Sequence, residues 1–315
     1  MARSEILSAP TVGFQSQMFL DSRLTSRAAG SGPARLETSI WIAATKGKET
    51  PIRMTNGKHD AQPRWSPDGQ HIVFVRGGDK DESGKAKPGQ LAMLSLSGGE
   101  ASTITDLPKG ASNPVWSPDG KRIAFVSSTT QEDIQKAQHK KNATKPGDAQ
   151  AESEHESDVH VIGRAVYRSN DEGYLDPKHH AHIWLLEVPT TSEELPKPVQ
   201  LTNGNFDEGQ LVWSHDGSRI YFLTRRIDEP YYELPSTDIY RVPFAGGNPE
   251  KFATIPMDIG DLVLSPDGRQ LSFHGSVAHS GLDPETARLR SAEEVPTHSQ
   301  HPRRPARCLR LGVRS

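Results

Sequence analysis

His155-Glu156-Ser157-Asp158-Val159-His160 is the first stretch whose residue types invite a chemical reading. A zinc helix places two histidines four residues apart on one face. Here they stand five apart in a segment with no helical amphipathicity, which favours a solvated loop. His179, His180 and His182 form a second cluster whose spacing would suit a divalent ion. With no cysteine or carboxylate beside it in the chain, it reads as a strand-entry loop, and no metal site is assigned. A serine nucleophile of the hydrolase type needs Gly-x-Ser-x-Gly, which lifts the serine onto a strand-to-helix turn. No such pattern occurs, and Gly110-Ala111-Ser112-Asn113-Pro114 only approaches it. No glycine-rich loop followed by Lys-Ser or Lys-Thr cradles a phosphate, so no catalytic residue and no cofactor is expected. Asn142-Ala143-Thr144 is a formal glycosylation sequon, without meaning unless the chain is secreted.

Composition narrows the partners. A net charge of -3 provides no basic field for nucleic acid. No run reaches the roughly 20 apolar residues of a membrane span. The first twenty residues lack the apolar core of an export signal. The lone Cys308 lies in an arginine-rich stretch, where it can make neither an internal disulfide nor a thiolate metal site. A cytoplasmic setting is therefore expected.

The elements that would position any site come from an internal repeat. Arg64-Trp65-Ser66-Pro67-Asp68-Gly69 returns as Val115-Trp116-Ser117-Pro118-Asp119-Gly120. It returns again as Val212-Trp213-Ser214-His215-Asp216-Gly217 and as Val263-Leu264-Ser265-Pro266-Asp267-Gly268. Trp65 to Trp116 is 51 residues, as is Trp213 to Leu264; the 97 between Trp116 and Trp213 hold one period plus an insertion of about 46. Seven residues after each start come Ile72, Ile123, Ile220 and Leu271, and nine after come Phe74, Phe125, Phe222 and Phe273. Ser-Pro-Asp-Gly suits a tight turn, with proline presetting φ and glycine taking the exit. The strands after the first three turns, His71–Val75, Arg122–Val126 and Arg219–Leu223, are apolar at most positions on both faces, which suits burial between neighbouring sheets. A second strand family (Ile40-Trp41-Ile42, Leu91–Leu94, Ile183–Leu186, Ile239–Val242) keeps the same period.

Strand, turn, strand and loop at this spacing predict an all-β fold: a partial β-propeller of about four to five four-stranded blades. Residues 39–278 hold the blades, and 1–38 are expected to be irregular because the turn due near residue 14 is missing. Residues 127–158 contain almost nothing apolar and are expected to be a disordered insertion. Residues 279–315 are expected to be a disordered or out-of-frame tail, since seven arginines and no lysine follow Leu282. Unpaired blade edges at the two ends would invite self-association.

The Trp-Ser-Pro-Asp-Gly turns and the strands after them resemble the propeller of prolyl oligopeptidase-type serine peptidases, in the acylaminoacyl-peptidase and dipeptidyl-peptidase-like branch. The same repeat also resembles TolB-like propellers. The stretch Arg164-Ala165-Val166-Tyr167-Arg168-Ser169-Asn170-Asp171-Glu172-Gly173-Tyr174, followed by His182-Ile183-Trp184 and Gln200-Leu201-Thr202-Asn203-Gly204, is similar to a segment of those peptidases, although Asn170-Asp171-Glu172-Gly173 departs from the usual order by one glycine. The resemblance implies a propeller that binds and gates peptides for a C-terminal α/β-hydrolase domain absent from this chain, which would be inactive alone. The alternative is a stand-alone TolB-like scaffold for protein interactions. By the same resemblance Arg164, Tyr167, Asp171, Glu172 and Tyr174 become candidate substrate-facing residues, against a plainer reading as a solvated blade-edge loop. Glu193-Glu194 resembles the glutamate pair that holds a peptide's amino terminus in dipeptidyl peptidases, but it lies in a proline-rich connection.

Overall fold

A computed structural model describes residues 6–8, 16–24, 36–46, 49–78, 86–142, 168–169, 173–174, 176, 178–189, 195–227, 234–276 and 309–312. Their strands form four four-stranded sheets, one three-stranded sheet and one two-stranded ladder. Blade I contains β1 (Ile6–Ser8), β2 (Ser16–Leu24), β3 (Leu36–Ala44) and β4 (Ile52–Arg53). Blade II contains β5 (Asp60–Trp65), β6 (His71–Arg76), β7 (Gln90–Ser95) and β8 (Ser102–Thr103). Blade III begins with β9 (Ser112–Trp116) and β10 (Arg122–Ser127). It is interrupted by α1 (Gln131–Asn142) and the ladder β11 (Arg168–Ser169) and β12 (Gly173–Tyr174), then closes with β13 (His182–Glu187) and β14 (Val199–Gln200). Blade IV contains β15 (Glu208–Trp213), β16 (Arg219–Thr224), β17 (Thr237–Pro243) and β18 (Glu250–Ile255). Blade V contains β19 (Asp258–Leu264), β20 (Gln270–Ser276) and β21 (Leu309–Gly312).

The second strands of blades II, III and IV each serve two cores. Ile72 and Phe74 face blade I beside Ile40, while Val73 packs toward blade III with Trp116, Ile123 and Phe125. One period on, Ala124 and Val126 join Trp213, Ile220 and Phe222 between blades III and IV. Tyr221 and Leu223 then meet Leu262, Leu271 and Phe273 between blades IV and V. This two-sided burial is why β6, β10 and β16 carry no polar face, and Phe74, Phe125 and Phe222 are fully buried.

In blades II to V the turns close the first hairpin with one repeated network. In blade III the Ser117 hydroxyl donates to Asp119 Oδ1 at 2.5 Å and accepts from the Arg122 amide at 2.9 Å, and Gly120 N–H donates to the Ser117 carbonyl. Gly69, Gly120, Gly217 and Gly268 all exit at φ 68–70°, a region glycine enters freely. Tryptophan then ties the blades together. Trp116 Nε1 donates to the Arg64 carbonyl at 3.1 Å, and Trp213 Nε1 to the Val115 carbonyl at 3.2 Å. In each case the acceptor directly precedes the previous blade's tryptophan.

Three segments carry described elements beyond the repeat. Residues before 39 supply β1, β2 and part of β3, in a ladder that pairs Met18 with Ile42 and Phe19 with Trp41. The missing turn motif shapes only a link, whereas the ladder is built from backbone bonds. The polar insertion opens with the helix α1. Thr130 caps it reciprocally with Asp133, Glu132 and Asp133 occupy its first turn, and Ile134 packs on the blade core. In the tail, Leu309–Gly312 pairs with Gln270–Phe273; its Leu-Arg-Leu alternation is a strand pattern that arginine-rich composition hides.

Candidate functional site

Of the candidate substrate-facing residues, Arg164, Tyr167, Asp171 and Glu172 lie outside the described residues, as do His155, His160, Glu193 and Glu194. Tyr174 lies in β12, paired with Arg168. Just beyond it, the chain returns to blade III through the three histidines, and these do have carboxylate partners, contrary to the local reading of the sequence. His179 Nδ1 contacts Asp176 Oδ2 at 2.5 Å, and its Nε2 contacts Asp133 Oδ2 at 3.1 Å. Asp133 comes from α1, 46 residues away, so only the fold unites the pair. Burial pushes the Asp133 carboxyl up, but the Thr130 amide and hydroxyl and His179 outweigh it and hold it below the ordinary carboxylate value. Burial likewise works against Asp176, and the Lys178 amide, His179 and Lys109 pull it down.

The other two histidines mark the seam with blade IV. His180 Nδ1 stands 3.5 Å from Asp207, which also accepts the Ala181 amide at 2.8 Å. His182 Nδ1 stands 3.6 Å from Glu208, a buried carboxylate held by the Thr202 hydroxyl and by Arg226 at 2.8 Å. Asp60 repeats this arrangement in blade II, buried and paired with Arg76 at 3.1 Å. A carboxylate so removed from water persists only with such partners. Among the described residues, no three His, Cys, Asp or Glu side chains converge as metal ligands. His179, in contact with both Asp133 of α1 and Asp176, links the start of the blade III insertion to its end.

A second set of residues escaped the sequence reading. Three positions before each Trp65-type position stand Gln62, Asn113, Gln210 and Asp261, all at φ 51–53°. Non-glycine residues seldom enter this left-handed region, and doing so four times in register marks a built feature. Each sits at a β-bulge, where the pairing of β5, β9, β15 or β19 with its neighbour slips. One position earlier come Ala61, Ser112, Gly209 and Gly260, all small. The 51-residue register, extended backward from tryptophan, carries this signal in the sequence.

These first strands are the edges along which the blades converge, since β5 packs on β9, β9 on β15 and β15 on β19. Their free edges form the inner rim. Between blades II and III the rim is closed: Asn113 N–H donates to Gln62 Oε1 at 2.7 Å, and Gln62 Nε2 donates to Asn113 Oδ1 at 3.0 Å. Gln210 and Asp261 are exposed.

No family model matches the chain. It is 33% identical over 187 residues to the uncharacterized peptidase YuxL of Bacillus subtilis, an alignment covering 59% of this chain and 25% of that protein. It is 30% identical over 94 residues to the Tol-Pal system protein TolB of Francisella tularensis, covering 29% of this chain and 20% of TolB. Among solved structures, the acylaminoacyl peptidase of Pyrococcus horikoshii superposes with a TM-score of 0.50 at 17% identity, over 87% of this chain and 36% of that one. The chain thus spans about a quarter of the length of YuxL. Its resemblance is to the propeller shared by such peptidases and TolB proteins. No described helix is long and apolar enough to cross a membrane.

Proposed function

We propose that this chain is the peptide-binding, substrate-gating propeller portion of a prolyl oligopeptidase-type serine peptidase. The observation that carries the reading is the 187-residue likeness to a peptidase, twice the span of the likeness to TolB. The chain brings no Gly-x-Ser-x-Gly elbow, so in this reading hydrolysis belongs to a C-terminal hydrolase domain. The propeller selects what reaches it by size and by extended conformation, in a cytoplasmic setting. The insertion of blade III, with Arg164, Tyr167, Asp171, Glu172 and Tyr174, is the proposed entrance loop, held at its base by His179, Asp133 and Asp176.

A TolB-like interaction scaffold is the competing reading, favoured by the TolB match in the repeat itself. The two differ in what they hold. A gate admits a short unstructured peptide and rejects the same sequence displayed within a folded carrier. Fluorescence anisotropy with a labelled short peptide, free and then grafted into a surface loop of a stable carrier protein, separates them. Binding of the free form alone is expected. Equal binding of the folded carrier would overturn gating and favour the scaffold.

A further inference from the structure

The inner rim offers an internal comparison. At one repeat position four adjacent blades present Gln62, Asn113, Gln210 and Asp261, each turned out of its ladder by the same bulge. Blades II and III close the space between them with the Gln62–Asn113 bonds. Blades IV and V do not: Gln210 and Asp261 are exposed, and the positions before them have lost their side chains altogether. Glycine in a strand costs conformational entropy and usually needs a reason. Neither Gly209 nor Gly260 has a positive φ, and a Cβ built on either meets no atom of the described residues within 4 Å. Neither the backbone conformation nor packing among the described residues accounts for them. A bulge is a further reason for glycine in a strand, but the same bulge carries Ala61 in blade II and Ser112 in blade III and so does not require one; the reason left is the close approach of another backbone from outside.

We infer that Gly209-Gln210 of β15 and Gly260-Asp261 of β19 form a docking strip for an extended peptide bearing a positive charge. A peptide main chain lies against the two glycines. The Gln210 carboxamide, donor and acceptor at once, pairs with one of its peptide units. Asp261, exposed at the last rung, receives an ammonium group, from either the peptide's amino terminus or a lysine side chain. This rests on the peptide-binding reading above and places that binding at one point of the rim.

The test uses the whole chain and a fluorescein-labelled heptapeptide of alternating serine and alanine, with its amino terminus free or acetylated and with or without one central lysine. Because the space around Gly209 and Gly260 is open and valine suits strands, Gly209→Val and Gly260→Val should melt no lower than the parent yet bind the peptide at least about tenfold more weakly. Gln210→Gly relaxes the left-handed backbone while removing the carboxamide, and should likewise hold its melting temperature and lose affinity. Asp261→Asn should weaken the free-amino peptide about tenfold, the scale of one charged hydrogen bond, and leave the acetylated, lysine-free peptide unchanged. Loss of that difference on acetylation, or its persistence through the central lysine, tells which ammonium is read. Parental binding by the valine variants would overturn the strip and leave peptide binding standing. Failure of the parent to bind any of the peptides would overturn both. A parent that sediments as a dimer, with monomeric Gly209→Val, would show the occupant to be a second copy and also overturn the proposal.

Discussion

Replacing tryptophan by phenylalanine at the three repeat positions should give unequal results, because the same residue does different work in each blade. Trp213 is 5% exposed, and its indole N–H bonds the Val115 carbonyl of the preceding blade. Trp213→Phe removes that bond, about 1 kcal/mol net. It also withdraws on the order of 40 Å² of buried apolar surface, about another 1 kcal/mol. The sum, about 2 kcal/mol, should lower the urea midpoint by roughly 1 M for a slope near 2 kcal/mol per molar. Trp116→Phe should behave alike, since its N–H bonds the Arg64 carbonyl. Trp65 differs: its Nε1 is buried without an acceptor among the described residues, and its ring is only half-buried. Trp65→Phe therefore loses about half the apolar term and removes an unpaired donor worth about 1–3 kcal/mol. It should be neutral or stabilising. Urea titration followed by circular dichroism, on chains checked to be monomeric, measures all three. A Trp65→Phe loss equal to that of Trp213→Phe would refute the claim that tryptophan acts as a hydrogen-bonded tie between blades.

Phe125→Ala and Phe222→Ala, each emptying a fully buried site between two blades, should cost about 3–5 kcal/mol and read out as a collapse of the same unfolding midpoint. The repeated turns predict an acid response. The Ser214 hydroxyl, the Ser218 amide and the Ser218 hydroxyl hold Asp216 down at about 2, and Asp68, Asp119 and Asp267 are lowered by their own Ser partners first. Each contributes stability that is fully present above the unfolded carboxyl value near 3.9 and is lost as pH falls through the folded value; Asp216→Asn should flatten the stability curve between about pH 4 and pH 2. The purified chain should leave aminoacyl and acyl-peptide chromogenic substrates intact, and turnover abolished by a serine-directed covalent inhibitor would expose a nucleophile outside the elbow pattern.

The sequence by itself determined the repeat, its 51-residue period and the blade architecture, because these are local. Ser-Pro-Asp-Gly fixes a turn through its own backbone, and Ile-x-Phe with apolar residues between them requires a sheet on either side. What only the tertiary structure decided was whatever joins distant residues. Asp133 meets His179 across 46 residues because α1 folds back onto blade III, and no local pattern of histidine and carboxylate shows it. Met18 and Phe19 belong to blade I through a ladder to β3, which a search for turn motifs does not detect. The left-handed bulges at Gln62, Asn113, Gln210 and Asp261 are set by pairing slips against the neighbouring strand, and glutamine, asparagine and aspartate do not announce that conformation as glycine would. Their spacing was present in the chain throughout; their meaning came from the blades that bring them to one rim, closing it between II and III and leaving it open between IV and V.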